Sequence, residues 1–224
     1  IPSAFFVALI IGLAGQVTHY RRAKPKKENR SQQLKRERES KVWGEVIDRA
    51  HIAAVEPRLS ATAAKADEWL PLKPGTDGAL AVAIAHTLLT EGLWHKEFVG
   101  DFTDGQNRFI AGQEVDESLF EEKHTHGIVA WWNLELKDKT PEWAAKITDL
   151  PVEQIKRVAI GYGKAAPHAI SWLGGGPCMQ VRGSYAAMAV HSLNGIVGAV
   201  DNIGGTQQSN KEYTSKFPKP DDFM

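Results

Sequence analysis

Apolar and polar positions follow two rhythms along this chain, and each rhythm predicts an element. The run Phe5-Phe6-Val7-Ala8-Leu9-Ile10-Ile11 before Gly12 is uninterrupted, as a strand buried on both faces requires. A trimmed signal or anchor segment is the other reading of this opening; it is short for a membrane span and no basic residues precede it. Over residues 29–50 Pro is absent, and Leu34, Val42, Trp43, Val46 and Ile47 recur at partly helical spacing, predicting a helix with a charged outer face. His51-Ile52-Ala53-Ala54-Val55 reads as a second strand ending in Glu56-Pro57-Arg58. Residues 69–74 read as extended and close in Pro74-Gly75-Thr76-Asp77, and residues 78–89, apolar almost all round, predict a core helix. Residues 101–139 show no clean period. Thr140-Pro141-Glu142 starts a helix with a hydroxyl cap, a first-turn Pro and an acid facing the dipole. Pro151-Val152-Glu153 starts another, to about Lys164; residues 168–173 are a third strand before Gly174-Gly175-Gly176-Pro177, and a last helix is predicted over residues 183–200.

Strands alternating with helices predict an α/β fold, a parallel sheet with helices on both faces, dinucleotide-binding-like in plan. The chain starts at Ile1 and ends after a charged, Pro-rich run, so it reads as a piece of a longer polypeptide: an α/β domain over residues 1–210 and a linker over 211–224. The balance of 27 basic and 27 acidic residues offers no net charge to nucleic acid or an anionic membrane. The basic run at 21–27 is a phosphate or RNA patch or, on the reading favoured by the acids that follow, a solvated loop. With a single cysteine, Cys178, no disulfide framework, cysteine-type zinc site or four-cysteine iron–sulfur site can be built within the chain. Cys178 itself reads as a small packed residue rather than a nucleophile or metal ligand.

Ligands of open parallel sheets sit beyond the carboxyl ends of the strands. The candidates there are Gly12, for close backbone approach; Glu56, to accept from ribose hydroxyls; Arg58, for a phosphate; and Gly174, Gly175 and Gly176, whose amides can face an anion or a flat ligand. In the turn between, Asp77 has two readings. Its carboxylate can accept from the N1–H and exocyclic amine of guanine, with Gly75 and Gly78 admitting the base, or Thr76 or Asp77 caps the following helix. His124 and His126 could share a metal on one strand face, but no third ligand is indicated. Walker A and GxGxxG patterns are absent.

Val55-Glu56-Pro57-Arg58-Leu59-Ser60 and Ala66-Asp67-Glu68-Trp69-Leu70-Pro71-Leu72-Lys73-Pro74-Gly75-Thr76-Asp77-Gly78-Ala79-Leu80 resemble the molybdopterin oxidoreductases of the dimethyl sulfoxide reductase family. Thr140-Pro141-Glu142-Trp143-Ala144-Ala145, the 174–183 loop with Gln180, Leu193-Asn194-Gly195 and Asn202-Ile203-Gly204-Gly205 follow in the family's order, so the resemblance is collinear over roughly residues 42–210. The loop from Trp172 to Gly183 looks more like the thiosulfate, tetrathionate, polysulfide and arsenate reductase branch than like formate dehydrogenases.

The resemblance implies part of a catalytic subunit holding bis(molybdopterin guanine dinucleotide) with Mo or W. Asp77 would bind guanine, Glu56 and Arg58 would lie near ribose and phosphates, and the loop with Gln180 near a pterin. The family's cysteine motif for a 4Fe-4S cluster and its metal-ligating segment have no counterpart here, so no catalytic residue or metal ligand is assigned to this chain. The implied enzyme, inactive without its remainder, carries out two-electron chemistry on a small sulfur or arsenic oxyanion in anaerobic respiration. It would work with an iron–sulfur electron-transfer subunit and a membrane-anchor subunit, without nucleic acid, in the periplasm (otherwise the cytoplasm) of a bacterium or archaeon. A non-catalytic guanine-dinucleotide scaffold and a formate-dehydrogenase-like member are the alternatives.

Overall fold

The structure, a computed structural model, describes residues 7–11, as backbone, and residues 50–207. Gly12, the basic run, the helix expected over 29–50 and the linker over 211–224 lie outside them. The elements in chain order are β1 (Val7–Ile11), β2 (His51–Val55), β3 (Glu68–Leu70), α1 (Asp77–Thr90), α2 (Lys96–Val99), β4 (Gly100–Phe102), β5 (Phe120–Glu122), α3 (Ile128–Trp131), α4 (Pro141–Thr148), α5 (Val152–Lys164), β6 (Ala169–Leu173), α6 (Gly175–Cys178) and α7 (Gly183–Ile196).

β1, β2, β3 and β6 form one parallel sheet in the order β3-β2-β1-β6. Two strands lie on one side of β1 and β6 on the other, so the order reverses between β1 and β6. A crevice beyond the carboxyl ends of those two strands is where such sheets hold ligands. Glu68, Ala53, Leu9 and Ser171 are register partners and share one face. On that face Ala53, Val55, Leu70, Ala169, Ser171 and Leu173 are buried.

Both helices that grip this sheet do so on that face. From α5, Arg157 makes a forked pair with Glu68 (2.5 and 2.9 Å) and Gln154 donates to the Trp69 carbonyl (2.9 Å). From α7, the Val190 carbonyl accepts from the Ser171 hydroxyl (2.6 Å). On the opposite face Ala54 is buried and Trp172 half-exposed; the helix expected over 29–50 lies outside the described residues, so helices are seen on one face of the sheet among them.

Among the described residues β6 is an edge strand, and Asn194 of α7 covers its outer edge. Its carboxamide accepts from the Ser171 amide (2.7 Å) and donates to the Ser171 carbonyl (2.8 Å), standing in for a neighbouring strand. The Tyr162 hydroxyl donates to the same Asn194 oxygen (3.1 Å), and burial pushes that phenol's pKa up.

α1 is the central helix, packed against α4, α5 and α7. Leu80, Ala83, Ile84, Ala85, Leu88 and Leu89 are all buried, as the apolar run predicts. α4 starts as expected: the Thr140 hydroxyl accepts from the Trp143 amide (3.3 Å) behind Pro141. α7 stops at Ile196, short of the expected residue 200. Gly198 turns left-handed (φ +64°) and the Ala199 amide donates back to the Asn194 carbonyl (2.9 Å), closing the helix.

Where the sequence shows no period, a second body of structure forms. β4 and β5 pair antiparallel, α3 runs into a π-helical turn over Trp132–Leu136, and Trp94, Phe102, Phe109, Phe120 and Trp132 pack ring to ring at 4.9–6.2 Å. His86 of α1 stacks on Trp132 (5.3 Å), which joins this aromatic lobe to the core. Both His86 nitrogens are buried without a hydrogen bond, and burial lowers the imidazole's pKa.

Candidate functional site

The expected candidates lie on turns that follow strands. Glu56 follows β2. Its amide donates to the Leu70 carbonyl (3.2 Å) and its carbonyl accepts from the Trp69 indole (3.0 Å), so the main chain is held while the side chain is turned inward. The carboxylate is buried and accepts from the Ser60 hydroxyl. Ser60 also accepts from the Thr62 and Ala63 amides (3.1 and 3.2 Å), so it organises the whole turn. Arg58 stands exposed beside it.

Thr76 occupies the cap position of α1, yet its hydroxyl donates back to the Lys73 carbonyl (2.6 Å) and caps nothing. Asp77 is the first residue inside the helix. It is only 6% exposed, and its carboxylate leans on its own amide rather than on another side chain of the described residues. Burial raises its pKa, and the helix N-terminus favours the charged form. Among the described residues neither side chain caps a later amide of α1, and the Asp77 carboxylate, met only by its own amide, is a buried acceptor with capacity to spare.

Two glycine expectations change. Gly75 is left-handed (φ +83°), and a Cβ there would lie 2.7 Å from the Gln180 side-chain oxygen. Gly78 does not open a path for a base. It lets α1 approach α7, where Ala186 stands 3.4 Å from the position of its missing Cβ. The structure thus brings together two candidates 105 residues apart, Gly75 and Gln180.

The triple glycine is also not an open loop. Gly174 is extended, but Gly175 and Gly176 wind into α6, and the Met179 amide donates to the Gly175 carbonyl (3.0 Å). Gly183 starts α7 so close to α6 that a Cβ would meet the Cys178 carbonyl at 2.5 Å. Cys178 corrects the packing expectation: it is exposed, its sulfur 3.9 Å from the Gly174 carbonyl oxygen. A short helix turns its side chain outward, which the apolar neighbours in sequence did not reveal.

Both His124 and His126 are exposed, and no three His, Cys, Asp or Glu side chains among the described residues are grouped to hold a metal ion. His126 lies at a groove of about 790 Å³ between α7 and α3, lined by Val82, Ile128, Trp131 and Met188; none of the cofactor-binding candidates lines it. No described helix is long and apolar enough to cross a membrane.

Residues 25–216 match the sequence profile of the molybdopterin oxidoreductases. The molybdopterin-containing subunit ArrA of the arsenate respiratory reductase of Chrysiogenes arsenatis is 55% identical over 82% of this chain and 21% of its own length. The corresponding subunit of Shewanella sp. (strain ANA-3) is 48% identical over 83% of this chain and 22% of its own. A probable dimethyl sulfoxide reductase chain of Escherichia coli, YnfF, is 36% identical over 70% of this chain and 19% of its own. Acetylene hydratase from Pelobacter acetylenicus shares the fold, with a TM-score of 0.57 at 22% identity over 86% of this chain and 21% of that one. This chain belongs to the molybdopterin oxidoreductase family. It spans about a fifth of the length of these relatives.

The residues present fit the cofactor such a family implies. A buried acceptor with spare capacity suits the paired donors of a purine edge, Glu56 suits hydroxyls, and exposed Arg58 suits a phosphate.

Proposed function

We propose that this chain is the cofactor-binding part of a molybdenum- or tungsten-dependent respiratory reductase that carries bis(molybdopterin guanine dinucleotide) and reduces an arsenic or sulfur oxyanion, arsenate first among them. The observation that carries it is Asp77, a carboxylate buried in the first turn of α1 without another side chain of the described residues to satisfy it. Guanine offers that carboxylate two parallel N–H donors, and adenine does not. Glu56 would accept from the ribose, Arg58 would meet the phosphates, and the Gly174, Gly175 and Gly176 turn would lie against a pterin, with Gly12 near the first nucleotide contact. Arsenate is favoured because identity reaches 55% and 48% with arsenate reductase subunits and 36% with a dimethyl sulfoxide reductase chain.

The bound group supplies the two-electron redox chemistry through its metal and dithiolenes. The side chains of this chain bind it, orient it and set its electrostatic surroundings. The remainder of the subunit would contribute the metal ligand and a 4Fe-4S cluster, with an iron–sulfur partner subunit, a membrane anchor and export to the periplasm completing the respiratory assembly.

Metal and nucleotide analysis of the whole subunit tests this reading. About two GMP released per Mo or W, with arsenate oxidising a reduced viologen in its presence, is the expected outcome. Nucleotide without metal would turn the reading to a non-catalytic scaffold, and absence of both would overturn it. The raised pKa of Asp77 adds a pH dependence. Guanine's donors favour the ionised carboxylate, so nucleotide is held above that pKa and retained less as pH falls through it. Asp77→Asn would remove this dependence.

A further inference from the structure

The resemblance implies a place near a pterin for Gln180, and the structure adds a neighbour that the resemblance did not name. Its side-chain oxygen lies against Gly75, in the turn that leads directly into Asp77. Gly75 is held left-handed, and a Cβ there would push that carboxamide aside. The oxygen is the nearer end (2.7 Å from the Cβ position) and the nitrogen the farther one (3.7 Å). The side chain is exposed, and no hydrogen bond to a described residue occupies either end of it. Meanwhile Ala186 against Gly78 fixes α7 on α1, so the segment carrying Gln180 is anchored to the same turn from both sides.

A carboxylate that reads the N1–H and the exocyclic amine of guanine leaves O6, the acceptor next to N1, without a donor. We infer that Gln180 supplies it: its carboxamide nitrogen donates to guanine O6 while Asp77 accepts from the two adjoining N–H groups. Together they read all three groups of the base's hydrogen-bonding edge with two side chains 103 residues apart in sequence. The inference rests on the guanine reading of Asp77 and adds to it a specificity-determining residue.

The test uses base analogues and needs no turnover. In the catalytic subunit prepared without cofactor, affinities are measured for GMP, for 6-thio-GMP, whose sulfur is a poor acceptor, and for IMP, which lacks the exocyclic amine. The wild type should prefer GMP over both. Gln180→Ala should weaken GMP about tenfold and abolish the preference over 6-thio-GMP, while leaving the preference over IMP intact. Asp77→Asn should lose the preference over IMP. Gln180→Glu, which opposes one acceptor to another, should weaken GMP more than Gln180→Ala does. Since Gln180 is exposed, its variants are expected to unfold with the wild-type midpoint, and that midpoint is measured alongside. A Gln180→Ala protein that still prefers GMP over 6-thio-GMP overturns the inference while leaving Asp77 as the guanine reader. A wild type that binds all three nucleotides equally, or none, overturns both.

Discussion

The aromatic lobe and the turn cluster divide this molecule's work between opposite kinds of residue. In the lobe, Trp94, Phe102, Phe109, Phe120 and Trp132 are buried against one another, and almost all the contribution is packing. In the turns, Glu56, Asp77 and Gln180 are polar side chains carried on main chain that turn hydrogen bonds fix, with little apolar area of their own. Strand ends can carry such groups because the burial that stabilises the fold is provided by α1, the sheet and the lobe. Damage to the lobe should therefore unfold the protein without changing what it recognises, and damage to the turns should do the reverse.

The largest expected effect comes from the lobe. Trp132 is fully buried, donates to the Gln113 carbonyl (2.8 Å) and stacks on His86. Trp132→Ala should cost about 3–5 kcal/mol in denaturant unfolding, and whatever remains folded should keep its nucleotide preference. A cost below about 1 kcal/mol would break the comparison.

Asn194→Leu comes next, because it strands the Ser171 amide and carbonyl and the Tyr162 hydroxyl together. About 2 kcal/mol is expected, with amide exchange accelerated first at β6. Gly75→Ala should cost about 1–2 kcal/mol through its left-handed backbone. Combining it with Gln180→Ala separates the two causes: the steric part disappears and the backbone part persists.

The smallest effect is a slope. His86 is neutral in the folded protein because burial lowers its pKa, whereas in the unfolded chain it titrates near 6.5, the ordinary value. Below about pH 6.5 the unfolded chain binds a proton that the folded one resists, so stability falls on acidification and is fully present above. The charged groups facing the ring include Asp138 and Glu142, which oppose the shift without reversing it. His86→Phe should flatten this part of the stability–pH curve; an unchanged slope would place the titration elsewhere.

The contrast also explains what the sequence could show. β2, α1, α4, α5 and β6 were legible because each is written locally: an apolar run, a Thr-Pro-Glu start, a Pro-Val-Glu start, a strand before glycines. The parallel pairing followed from their alternation. The lobe was not legible, since Trp94, Phe109 and Trp132 meet only across long separations and the π-helical turn follows no standard period. At the site, Glu56 stood out by its position at a strand end and Asp77 by its position after a turn. The reasons for Gly78 and Gly183 lie in Ala186 and in the Cys178 carbonyl, which no spacing rule connects to them. Ser60 and Asn194 sat inside recognisable motifs, but their hydrogen bonds to Glu56 and Ser171 required coordinates.

The most direct measurement is the GMP content of the whole subunit carrying Asp77→Asn. Thr76, not Asp77, holds the cap position, so the exchange should cost no more than about 1 kcal/mol of stability through the helix dipole. It replaces one acceptor by a donor that faces the base's own donors, which should weaken nucleotide binding by about 2–4 kcal/mol. The account predicts a folded protein, close in stability to the cofactor-free wild type, that releases little or no GMP on denaturation. A folded Asp77→Asn protein with its full complement of GMP would contradict it.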